Sequence, residues 1–126
     1  MSAILLLVLM VALHTIEDFH VQGIMAQMKQ RSWWVNNAPS PKYRYDHLPV
    51  ILLHGLEWAV FVSLPLMWAS DWSLPDWFCA LIAAMGLVHS VIDHLKANML
   101  KINLVQGQAL HMVQIAIIWI AYIMVV

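Results

Sequence analysis

Two short stretches of this chain carry side chains able to do chemistry. "HTIEDFHVQ", residues 14–22, follows directly on the apolar run "AILLLVLMVAL", and "HSVIDHLK", residues 89–96, interrupts a second apolar run. In each, an aspartate stands four positions after a histidine: Asp18 after His14 and Asp93 after His89. Residues at i and i+4 share one helix face, so each stretch offers an imidazole beside a carboxylate. That pairing suits a first-row divalent metal, a proton relay or polar packing between helices. Two more apolar stretches carry the histidines His54 and His111, and Gln22, Lys96 and Gln108 lie near the same positions.

The elements that must position these groups are membrane helices. Of the 126 residues, 63% are hydrophobic and 10% charged, whereas soluble domains carry about 25% charged residues. A span needs about 20 apolar residues. Four stretches qualify, at 3–22, 47–69, 75–97 and 103–126, with a polar connection at 23–46. The expected fold is therefore all-α: a single transmembrane domain forming a four-transmembrane-helix bundle. Asp46 stands where an N-cap of the second span belongs, with Pro49 in its first turn. The polar connection reads as a loop with an interfacial helix anchored by Trp33 and Trp34. Residues 3–13 resemble a signal-peptide core, but they lack a basic leader and a small-residue cleavage pattern, so a retained first helix is expected. The single cysteine, Cys79, excludes an internal disulfide and a multi-cysteine zinc cage, and a net charge of −1 gives no support for nucleic-acid binding.

Charge placement sets the expected orientation. Lys29, Arg31, Lys42 and Arg44 lie in the first connection, and Lys96 and Lys101 around the third. The turn between the second and third spans carries only Asp71 and Asp76. The positive-inside rule then makes both basic connections cytoplasmic and places both termini on the periplasmic side of a bacterial inner membrane, with Trp68, Trp72 and Trp77 as an outer aromatic belt. On this topology His14, His54, His89 and His111 each fall seven or eight residues from the cytoplasmic end of their span, roughly 10–13 Å deep at about 1.5 Å per residue. Four helices thus bring one histidine each to a common layer. An intramembrane aspartate costs about 2.5–3.5 kcal/mol on the insertion scale, so Asp18 and Asp93 need partners, and the facing histidines supply them.

The candidate metal ligands are His14, Asp18, His54, His89, Asp93 and His111, for zinc, manganese or iron. Glu17 lies near the His14 face; Glu57, three positions after His54, either joins the site or pairs with a neighbouring helix. His20 and His94 read as interfacial, His47 as a helix-start residue, and Gly55 and Gly86 as points of close helix approach.

The blocks "HTIEDFHVQ", "LLHGLEW", "HSVIDHLK" and "GQALH" resemble the successive motifs of an uncharacterised bacterial membrane family, domain of unknown function 3307 (DUF3307). The resemblance covers nearly the whole chain and implies site roles for His14, Asp18, Phe19, Gln22, His54, His89, Asp93, Lys96, Gln108 and His111. Gly107 departs from it, standing where the family carries an acid.

The leading expectation is a membrane-embedded metal-dependent hydrolase acting on a lipid-linked or amphipathic substrate from the cytoplasmic side. Lys96 would neutralise a phosphate or oxyanion, and Gln22 and Gln108 would orient substrate or ligands. The alternatives are a b-type haem protein, a proton- or ion-conducting protein or phage-type membrane effector, and a non-catalytic protein that docks its basic, aromatic first loop on anionic headgroups.

Overall fold

The computed structural model describes residues 1–125 and is helical throughout, without strands among them. Helix α1 (Ala3–Ile16) begins at Ser2, whose hydroxyl accepts from the Leu5 amide, and continues into a π-helical turn, Glu17–Val21. The first connection holds two short helices, α2 (Met25–Met28) and α3 (Arg31–Asn37), and a 3-10 turn, Pro41–Tyr43. Helices α4 (His47–Ala69), α5 (Asp76–Ala97) and α6 (Leu104–Ile123) complete the bundle. Four helical stretches are long and apolar enough to cross a membrane: Ala3–Val21, Pro41–Ala69, Asp76–Ala97 and Leu104–Ile123. The expected spans agree with these within a few residues, apart from the 3-10 turn that lengthens the second.

Local sequence explains the boundaries. Asn103 and Gln106 form a reciprocal capping box at the start of α6. Asp46 does precede α4, but its backbone is already helical (φ −66°, ψ −17°) and its side chain makes no capping bond, because the chain enters α4 from the 3-10 turn. Gly23, at φ +52°, supplies the left-handed residue that reverses the chain after the first span. The expected helix at Trp33 and Trp34 is α3, whose Trp34 indole donates to the Met28 carbonyl (2.7 Å).

Neighbours in the bundle are α1 with α4, α4 with α5, α5 with α6, and α6 with α1. The tightest approach is at the two glycines. A Cβ on Gly55 would overlap Ser90 Oγ and the Gly86 carbonyl, and one on Gly86 would lie 2.8 Å from the Gly55 carbonyl. Ser90 locks this seam by donating to the Ile51 carbonyl (3.1 Å). The interior divides into two storeys. Toward the termini, Leu6, Val62, Leu66, Phe78, Ile118 and Tyr122 form an apolar core. Toward the basic connections the buried groups are polar: His14, Glu17, Lys29, His54, His89, Asp93 and His111. Trp58, fully buried, lies at the border.

Candidate metal centre

The four histidines meet. Ring centroids are 3.9 Å apart for His89 and His111, 5.0 Å for His54 and His89, and 5.6 Å for His14 and His111. Trp58 stacks on His89 at 4.3 Å and His89 on His111 at 3.9 Å, while Trp58 and His111 are tilted by 42° at 5.9 Å, so the three rings form a compact cluster. One residue from each of four helices therefore reaches one buried layer.

Asp93 is the hub of that layer. Its Oδ2 receives the Lys29 ammonium at 2.6 Å and faces His54 Nε2 at 3.3 Å and His89 Nε2 at 3.9 Å. Its Oδ1 takes Lys96 at 2.7 Å and faces His111 Nε2 at 3.5 Å. His54 Nε2 also lies 3.6 Å from Asp18 Oδ1 and 3.2 Å from His89 Nε2, while its Nδ1 lies 3.1 Å from Glu17 Oε1. The ligand atoms fall into two overlapping triplets, Asp18–His54–His89 and His89–Asp93–His111, each within 4.8 Å.

Tautomers follow from the surrounding hydrogen bonds. Gln114 donates its amide to the Met85 carbonyl (2.8 Å), which turns its Oε1 toward His111 Nδ1 (3.0 Å). His111 Nδ1 must then carry the proton, and in the neutral ring Nε2 presents a lone pair to a carboxylate oxygen. Two acceptors face each other there, and His111 Nε2 has no hydrogen-bond partner among the described residues. His89 Nδ1 and both carboxylate oxygens of Glu17 are likewise buried without a hydrogen bond. Such an arrangement calls for a cation or extra protons between the acceptors.

His14 sits differently from the expectation that it is a ligand. The Trp58 indole donates to its Nδ1 (2.8 Å), and its Nε2 donates to Gln108 Oε1 (2.8 Å). Gln108 in turn donates to Asp18 Oδ2 (2.6 Å), so the expected direct His14–Asp18 pair is a bridged one. Both ring nitrogens are thus engaged, and His14 orients Asp18 through Gln108. Gln22 donates to Asp18 Oδ1 (2.8 Å), which gives both glutamines the work of fixing one carboxylate. Lys96 points at Asp93 and is the group at the rim, with its side chain 16% exposed. Its alkyl chain crosses α6 at Gly107, where an added Cβ would lie 3.1 Å from Lys96 Cδ. The glycine that departs from the resembled pattern makes room for this lysine.

The sequence places Glu17 only near the His14 face and does not place Trp58, Gln114 or Lys29 in the cluster. Glu17 faces His54 because it follows His14 by three positions on the inward face of the same helix, its amide still bonded to the Leu13 and His14 carbonyls. Trp58, one turn after His54, and Gln114, three positions after His111, are polar-tipped groups on the same inward faces as the histidines, and that spacing was the available signal. Lys29 counted only as a loop charge, yet it is buried; no local pattern announces this, since it depends on the reversal at Gly23. Other residues stay outside. Glu57 is exposed on the outer face of α4, so it does not join the site, and among the described residues it pairs with no neighbouring helix. His20 and Phe19 are exposed, and His94 stacks on His47 at 6.0 Å.

Compared with protein-family profiles, with curated proteins and with solved structures, the chain matches none. Function therefore has to be read from the site's own geometry.

Proposed function

We propose that this chain is an integral membrane metalloprotein that holds a divalent ion in the His/Asp layer, with the basic end of the bundle cytoplasmic and both termini periplasmic. The supporting observation is the spacing of the facing ligand atoms. Around His54 Nε2, His89 Nε2, Asp18 Oδ1 and Asp93 Oδ2 the recorded separations are 3.2, 3.3, 3.6 and 3.9 Å. Hydrogen bonds of this kind are about 2.7–3.2 Å long, so most of these contacts are too long. Ligands about 2.0–2.1 Å from a tetrahedral ion stand about 3.3–3.4 Å from one another; the 3.2 and 3.3 Å separations lie close to that spacing, and the 3.6 and 3.9 Å ones are somewhat wider. His54 replaces His14 in this ligand set, and His111 extends it across Asp93. The mixed imidazole and carboxylate donors suit zinc, manganese or ferrous iron.

A divalent ion in such a set supplies Lewis acidity and lowers the pKa of a bound water to about 7, the chemistry of a hydrolase. The chain's own residues do the positioning. Gln22 and Gln108 hold Asp18, Gln114 holds the His111 tautomer, and Trp58 fixes the plane of His89 by stacking and the tautomer of His14 by donating to it. Hydrolysis of an amphipathic or lipid-linked substrate is the activity we assign, in the bacterial inner membrane. Detergent-purified protein should carry close to one metal ion per chain by elemental analysis, and His89→Ala should remove it. Metal-free wild-type protein that reloads none from solution would end this reading.

One feature favours a second reading. The contiguous groups Asp18, His54 and Glu17, with His14 joined to Asp18 through Gln108, are of the His and carboxylate kinds that relay protons in membrane proteins. Proton flux in liposomes that is lost in His54→Ala and indifferent to chelators would favour conduction over hydrolysis.

A further inference from the structure

We infer that the site binds its metal together with an anion, and that the group it receives is a phosphate held by Lys29 and Lys96. This rests on the metal-site reading and names the substrate class of that site. The two lysines arrive from opposite directions, one from the first connection and one from α5, yet both ammoniums end on a single carboxylate, at 2.6 and 2.7 Å. The cluster holds three carboxylates, Glu17, Asp18 and Asp93, against these two ammoniums, so one negative charge is in excess with the histidines neutral. A divalent ion reverses the sign and leaves one positive charge in surplus in a buried layer.

Two things follow. A metal and the lysines compete for Asp93, since an oxygen that ligates an ion is a weaker acceptor for an ammonium. The surplus charge and the two partly released ammoniums then call for an anion at the same place, because uncompensated charge in a poorly solvated site is costly. An acidic oxyanion that accepts from two ammoniums and ligates a hard ion is the complement, and a phosphate monoester or diester has that chemistry. The approach is from the Lys96 side, the rim of the site. On the neighbouring surface Asn98 accepts from the Arg31 amide (2.6 Å) and donates to the Lys29 carbonyl (2.9 Å), fastening the segment that carries Lys29.

The test is linkage between two ligands. Manganese binding to the purified full chain is titrated with no addition, with inorganic phosphate, and with phosphatidic acid in the micelle. Either phosphate source should tighten manganese binding at least tenfold in wild type. Coupling with inorganic phosphate identifies the free ion as sufficient; coupling with phosphatidic acid alone identifies a lipid headgroup. In Lys29→Met and Lys96→Met manganese should still bind, more tightly than wild type without phosphate, and the phosphate effect should vanish. Gly107→Asp sets a carboxylate beside Lys96 and should weaken the coupling with the two lysines intact. Manganese binding unchanged by either phosphate would overturn the inference while leaving the metal site standing. Absence of both manganese and zinc binding in every arm defeats the metal-site reading itself, and with it the inference.

Discussion

Replacing Asp93 by asparagine is the most informative single perturbation of the folded chain. The substitution keeps the volume and one oxygen, so the loss is the charge that receives Lys29 at 2.6 Å and Lys96 at 2.7 Å. Removing one partner from a buried ion pair costs about 3–5 kcal/mol, because the other partner stays buried and unpaired. A domain holds only about 5–15 kcal/mol in total, so Asp93→Asn should consume about a fifth of that or more. Lys29→Met should cost less, about 1–3 kcal/mol, since Lys96 still neutralises Asp93. The double variant should then lose less than the sum of the two, by more than about 1 kcal/mol, as coupled neighbours do. The assay is reversible unfolding in mixed micelles with chelator present, which removes any metal contribution. An Asp93→Asn cost below about 1 kcal/mol, or strict additivity in the cycle, would refute the hub role of this carboxylate.

Other perturbations test separate parts. Gln114→Leu frees the His111 tautomer and should weaken metal binding about 10–100-fold, the usual cost of losing such a partner, with little change in fold by circular dichroism. Trp58→Phe keeps a stacked ring but removes the donor to His14; its stability cost should be near 0.6 kcal/mol and below about 1.7, measured by the same unfolding assay. Gly86→Ala forces α4 and α5 apart where the added Cβ meets the Gly55 carbonyl at 2.8 Å, and should cost about 1–3 kcal/mol. Glu57→Leu removes an outward carboxylate from the middle of α4 and should stabilise the protein by up to about 2.5–3.5 kcal/mol in a bilayer; a loss of stability would show that Glu57 has a partner there. In a Cys79→Ser background, Asn36→Cys should react with an impermeant thiol reagent only from the cytoplasmic side.

The fold was legible because its signals are long: four apolar runs, with turns where the hydropathy breaks. The polar layer was legible too, through the count of residues from each histidine to its helix end, which assumes only a regular rise and a flat interface. That reasoning fails where the contact is non-local. Glu17 shares the inward face with His14, but its contact with His54 is made across to α4, and a four-residue spacing rule has no term for that. The same rule paired His14 directly with Asp18, whereas Gln108, reaching in from α6, stands between them. Lys29 reached the site by chain reversal, so its net charge was visible but its partner was not. Glu57 shows the converse error. Its spacing from His54 suggested the inner face, but His54 stands at one edge of the buried stripe of α4, which runs through Gly55, Trp58, Ala59 and Val62 and leaves Glu57 outside.

The most direct test is X-ray absorption at the edge of the metal bound to zinc-loaded protein. Two or more imidazoles with carboxylate oxygens, at about 2.0–2.2 Å, are predicted, and the imidazole scattering should fall in His54→Ala and His89→Ala. Zinc surrounded only by water or detergent oxygens, with a spectrum unchanged by either substitution, would contradict the account.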